Sequence, residues 1–149
     1  IPNPHTKGTL LMELIIPGKP IALKRHRHTT RNGRIFNYDP SKADKANFLK
    51  KVQNMAPEDP VYGAISVTVE VYIDRPKSHF GTGRNSDKIK ESSPTHPISR
   101  PDIDNYIKFV LDALNGVFYK DDSQVVHIES IKEYNQEPKT IVRIYPYGS

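Results

Sequence analysis

Two spacings of apolar residues organise the chain. Over residues 61–73, Ile65, Val67, Val69, Val71 and Ile73 alternate with Ser66, Thr68, Glu70 and Tyr72. A period of two places successive side chains on opposite faces and predicts a strand. Over residues 103–114, Ile103, Ile107, Val110, Leu111 and Leu114 recur at intervals of three and four, the mark of one buried helix face. Asn115-Gly116 should stop that helix, because glycine accepts the left-handed backbone that follows a last turn. A second helix is expected over residues 41–55, opened by Asp39-Pro40 and closed before Pro57, with Phe48, Leu49 and Val52 as its apolar side. The run 10–16 before Pro17-Gly18 reads as a first strand. Asn32-Gly33 predicts a tight hairpin turn into a short strand over 35–38. Residues 125–133 and 139–145 read as two more strands, expected to form a hairpin across 134–138.

These elements give an α+β (mixed α/β) class. The expectation is a single domain, with a mixed sheet of about five strands and two main helices on one face. The other face would be solvated or would meet a second subunit. No internal repeat is visible. Residues 1–9 lack periodicity and contain two prolines, so they read as a disordered extension upstream of Met12, itself a candidate start. Gly148-Ser149 is read likewise as foreign to the domain. Residues 74–100 form a long polar segment without periodicity, placed between the strongest strand and the strongest helix. Loops of that length are usually functional or disordered.

Composition narrows the class further. The 149 residues suit one domain, and 36% hydrophobic with 26% charged residues suits a globular protein. There is no cysteine, which excludes disulfides and thiolate metal sites. No apolar run reaches the length of a membrane span, and no signal peptide is evident, so a cytoplasmic location is the expectation. The net charge is +5 at pH 7. A basic chain that concentrates aspartates in one stretch must carry its positive surface elsewhere, a pattern suited to a polyanionic substrate.

That acidic stretch surrounds the helix expected over residues 103–114. Asp102 lies at its start, where the helix dipole favours an anion. Asp104 and Lys108 are one turn apart and can meet, and Asp112 follows in the same column. Asp121-Asp122 lies in the turn before the next strand, which is expected to return it to the end that carries Asp102. Gathered aspartates repel one another unless a cation neutralises them. Mg²⁺ prefers carboxylate oxygen and can activate water against a phosphodiester. The same residues also fit a helix cap, a surface ion pair and a turn, and spacing alone leaves both readings open.

The order of these residues resembles the RusA-type Holliday-junction resolvases. The resemblance rests on Asp102-Ile103-Asp104-Asn105, Lys108, and Asp121-Asp122-Ser123-Gln124-Val125-Val126. It implies a small homodimeric endonuclease that needs Mg²⁺, with Mn²⁺ able to substitute, and cuts four-way DNA junctions by paired symmetric nicks in recombination and repair. It also implies a phage or prophage origin, and hence a bacterial cytoplasm. Carried over by motif, Asp102, Asp104 and Asp122 would be metal ligands with Asp121 beside them, and Lys108 the catalytic lysine. A metal-bound water would attack the phosphorus in line, and Lys108 would neutralise the transition-state charge.

The basic residues fit the same substrate. Lys19, Lys24, Arg25, Arg27, Arg31 and Arg34 crowd the segment around the predicted hairpin, where they could grip phosphates without reading sequence. A Gly-Lys-Pro followed by arginines and a glycine turn is looser common ground with the family. Lys77 and Arg84 in the long segment could clamp a backbone, and Arg100 resembles the basic residue before the family's aspartate motif. The long segment is extended relative to the family's usual connection and could order on DNA. His26 and His28 lack a third ligand at matching spacing, so phosphate contact or solvation suits them better than a metal. Two other classes of answer stay open: a non-catalytic branched-DNA-binding module, and a nuclease for flaps, single strands or RNA. The Asp-x-Asp pattern of nucleotide-sugar transferases needs a larger α/β domain than this chain offers.

Overall fold

The computed structural model describes residues 3–148, apart from the Arg27 side chain. Six strands and two α-helices follow in the order β1 (Met12–Pro17), β2 (Arg27–Arg31), β3 (Arg34–Tyr38), α1 (Lys42–Val52), β4 (Ile65–Ile73), α2 (Ile103–Leu114), β5 (Val125–Tyr134) and β6 (Lys139–Pro146). The main sheet has the strand order β1-β6-β4-β5. β4 and β5 are parallel, and the other pairs are antiparallel. A parallel pair needs a crossover connection, and residues 74–124 supply it with α2 inside. The mixed sheet with helices on one face is therefore as expected.

Two pairings differ from the sequence expectation. β5 and β6 are consecutive but do not pair, because β4 lies between them. The side chains from Ile65 to Val69 are all buried, so β4 is a central strand that takes a neighbour on each edge. The 35–38 strand does not join the main sheet either. It pairs with β2 alone as a two-stranded ribbon, Arg31 opposite Arg34. Every residue of β3 is exposed, so this ribbon has no apolar face to bury against the sheet. The turn itself is as expected: Asn32 and Gly33 have φ of 51° and 76°, the left-handed pair that a tight hairpin needs.

The core forms between the sheet and the helices. Val67, Val69 and Val71 share a face with Ile144, Val142, Leu14 and Ile16, as the strand register requires. Phe48 of α1 meets Phe109 of α2 edge-to-face at 5.5 Å. The buried side of α2 is Tyr106, Phe109, Val110, Ala113 and Leu114. This is rotated from the expected face: Ile107 and Leu111 are half-buried flanks, and Ile103 is exposed. The aromatic residues carry more apolar area than the isoleucines, so they take the inward positions. The opposite sheet face mixes polar side chains with the exposed Ile15 and Ile131. There Arg143 bridges Glu13 at 2.7 Å and Glu70 at 2.6 Å, and Tyr72 donates to Glu70. The expected disordered extension over 1–9 also differs in part. Gly8 donates to the Pro146 carbonyl and Lys7 bridges Tyr147, so residues there lie along the end of β6; Ile1 and Pro2 lie outside the described residues.

Candidate nucleic-acid cleavage site

Asp102 is the N-cap of α2, with extended backbone (φ −70°, ψ 150°), and its carbonyl accepts from Asn105 N–H. Its carboxylate makes no cap hydrogen bond, although that is the usual use of an aspartate here. The side chain is left exposed at the positive end of the helix. Asp104 follows in the first turn, 3.8 Å from Lys108 Nζ. Both side chains are more than half exposed, so this pair adds little stability and is open to a ligand.

A basic arm faces these residues and is held there by backbone groups. Leu23 N–H donates to the Asn105 carbonyl at 2.9 Å. Lys24 N–H donates to the Ser41 hydroxyl at 2.9 Å, and Ser41 N–H donates to Asp39. Ser41 is fully buried. A hydrogen bond from Lys45 holds the Asp39 carboxyl below its ordinary range, with the Ser41 N–H and the Lys45 charge adding to it. Lys24, Arg25 and His26 consequently line one cleft with Asp102, Asp104, Asn105 and Lys108, about 420 Å³ in volume. The helix wall carries both carboxylates and Lys108, and the arm wall carries Lys24, Arg25 and His26. Such a cleft can hold a hydrated divalent cation on one side and a phosphate on the other.

Asp121 and Asp122 are not in this cleft, contrary to the expectation that the turn returns them to it. Asp122 N–H donates to Asn115 Oδ1, at the far end of α2. A helix of 12 residues is about 18 Å long. β5 gives a second ruler: it begins beside Asp122, whereas Lys132 near its other end donates to the carbonyls of Ser99 and Pro101. α2 and β5 thus run in opposite directions, and the returning strand starts where the helix ends. Among the described residues no three His, Cys, Asp or Glu side chains are gathered as a metal cage.

The two aspartates of that turn differ from each other. Asp121 is a cap: its side chain accepts from Ser123 N–H and its own N–H donates to Gln124 in a capping box. The Ser123 N–H leads the contacts that lower its pKa. Burial pushes the Asp122 carboxyl up, and the adjacent charges of Asp121 and Asp112 push the same way. Asp112 in turn lies 3.7 Å from Lys45.

The other expected contact residues fall into three places. Lys19 and Arg100 border a second cavity next to the cleft. Arg31 and Arg34 flank the tip of the ribbon; the Arg27 side chain lies outside what the structure describes. Lys77 and Arg84 sit on two 3₁₀ turns of the long segment, and neither lines the cleft. Sequence reasoning missed Lys132, Ser41 and Asn105 as supports of the site. Asn105 stood within the quoted motif, but a strand lysine and a helix-opening serine carry no signal of their own.

The family model for endodeoxyribonuclease RusA matches residues 17–145. The chain is 37% identical over 135 residues to an uncharacterised protein, YqaN, of Bacillus subtilis (strain 168), covering 89% of this chain and 94% of that one. The chain belongs to the RusA endodeoxyribonuclease family, whose activity is Holliday-junction resolution.

Proposed function

We propose that this member of the RusA family is a Mg²⁺-dependent endonuclease that resolves four-way DNA junctions by paired, symmetric nicks. The observation that carries this reading is the cleft that Asp102, Asp104 and Lys108 of α2 line together with Lys24 and Arg25 of the arm. Two exposed carboxylates fit Mg²⁺, which is commonly held by one or two carboxylates and keeps several waters. Bound there, the ion would polarise a phosphodiester and supply an activated water.

The protein's own groups do the rest. Lys24 and Arg25 hold the DNA strand by its phosphates. Lys108, kept near Asp104, offsets the charge that builds on the phosphate oxygens as the water oxygen bonds to phosphorus and the bond to the 3′ oxygen breaks. The products are a 5′-phosphate and a 3′-hydroxyl. The exposed arginines of the β2–β3 ribbon extend the grip along one arm of the junction.

Asp122 enters through a second copy of the chain. No single ion bridges Asp104 and Asp122 along about 18 Å of helix. A homodimer that lays the partner copy's acidic turn against the cleft would complete the ligand set, and its twofold symmetry would match that of the junction.

Mixing two inactive variants tests this arrangement. Asp104→Asn and Asp122→Asn should each lose Mg²⁺-dependent nicking of a four-way junction. A mixture of the two should recover a fraction of it, because mixed dimers carry one intact site. Full activity of either single variant would contradict the assignment, and no recovery in the mixture would contradict the shared site.

A further inference from the structure

Beside the cleft lies a second cavity of about 350 Å³, reached directly from Asp102 through Pro101 and Arg100. Its volume is in the range that holds a small organic ligand, roughly 300–1,000 Å³. Lys19 and Arg100 stand at its rim, both exposed and neither in an ion pair among the described residues. The lining is mixed, with Ile73, Pro76, Pro97 and Pro101 as its apolar part. Tyr134 forms one wall, its ring covered by the Arg75 guanidinium at 4.2 Å, and Arg75 is fixed by the Pro94 carbonyl at 2.8 Å.

The floor carries the sharper observation. Tyr106 is 3% exposed, and its hydroxyl has no hydrogen-bond partner among the described residues. Among the described residues, Thr68 alone has a side-chain oxygen both sealed from solvent and unpaired, so the Tyr106 hydroxyl reaches open space. Tyr106 lines this cavity, which offers that space. A buried phenol normally finds a partner. Asp74 adds a second acceptor to the lining. A carboxylate would repel a bare phosphate, so the ligand offers a donor at the end away from the rim cations.

We propose that this cavity takes one unstacked nucleotide of the DNA strand beside the scissile phosphate. Lys19 and Arg100 hold its phosphate, Ile73 and the prolines of the lining pack against the base, and Tyr106 and Asp74 meet the base's polar edge. Extruding a nucleotide costs least where pairing is already broken, so the pocket favours DNA near a branch point. Selection of branched DNA would then come partly from a base pocket and not only from phosphate contacts. This inference rests on the nuclease reading above.

The test uses four-way junctions with 2-aminopurine placed nucleotide by nucleotide on either side of the nick, in metal-free buffer so that strands stay intact. The intact protein should brighten one position several-fold by unstacking it. Ser99→Trp, which fills the cavity from an exposed position, should abolish that brightening while the junction still shifts on a gel. Tyr106→Phe, which keeps the ring in the core, should weaken it. No brightening at any position, or brightening that survives Ser99→Trp, would overturn the pocket. Failure to shift any junction would overturn the nuclease reading itself, and the pocket with it.

Discussion

Leu23 donates its backbone N–H to the carbonyl of Asn105 at 2.9 Å, tying the basic arm to the first turn of the aspartate helix. The contact is between main-chain atoms, so it fixes the position of the arm whatever side chains it carries. The cations of the arm are therefore set opposite Asp102 and Asp104 before any substrate arrives. Such preorganisation spares the ordering cost of binding.

Ser41 is the other anchor of that arm, fully buried and accepting from Lys24 N–H. Ser41→Ala should cost about 1–3 kcal/mol of stability, because it removes the acceptor and leaves the donor part-buried. Urea unfolding measures the loss. Junction affinity should fall more than the fraction of unfolded protein explains.

Lys132 reaches from β5 to the carbonyls of Ser99 and Pro101 and sets the loop that delivers Asp102. Lys132→Met should leave the fold intact, as judged by circular dichroism, and lower the nicking rate. It should also weaken the apparent affinity for Mg²⁺. Lys132→Arg should restore part of both. An unchanged Mg²⁺ dependence in Lys132→Met would show that the lysine does not position the site.

The Asp121-Asp122 turn separates stability from function. Burial and the charges of Asp121 and Asp112 raise the Asp122 pKa, so the ionised form is disfavoured in the folded chain. Asp122→Asn should raise Tm at neutral pH while abolishing nicking. Asp121→Ala should lower Tm, because it breaks the capping box. Thermal scans with and without Mg²⁺ check both, and the ion should stabilise the unmodified protein more than Asp122→Asn.

Acid should weaken the polar face of the sheet. Burial pushes the Glu70 carboxyl up, but hydrogen bonds from Tyr72 and Arg143 outweigh it and hold the pKa below the ordinary 4.5. A carboxylate with a lowered folded pKa binds fewer protons in the native state. Its stabilisation is complete above the unfolded pKa and fades as pH falls through the folded one. Unfolding free energy should therefore drop below about pH 4.5, and Glu70→Gln should flatten that part of the profile. Chemical denaturation across the acid range gives the comparison.

Much of the fold is legible in the sequence, because period and punctuation are local signals. The alternation in β4, the Asn32-Gly33 turn and the stop at Asn115-Gly116 all stand where the pattern puts them. Strand neighbours are not local. Nothing between Tyr134 and Lys139 says that β6 must pass to the far side of β4; that follows from the burial of β4 on both faces. The face of α2 shifted because Tyr106 and Phe109 outweigh Ile103 and Ile107 in buried area. At the site, the motif gave the pairing of Asp104 with Lys108, since both lie on one helix. It could not give the position of Asp122, which depends on where the next strand begins.

The most direct test is incubation of the purified protein with a synthetic four-way junction, with and without Mg²⁺. Symmetric paired nicks that appear only with Mg²⁺, and disappear in Asp104→Asn, are the expected result. Tight junction binding without nicks in any divalent cation would contradict the account and leave a DNA-binding module.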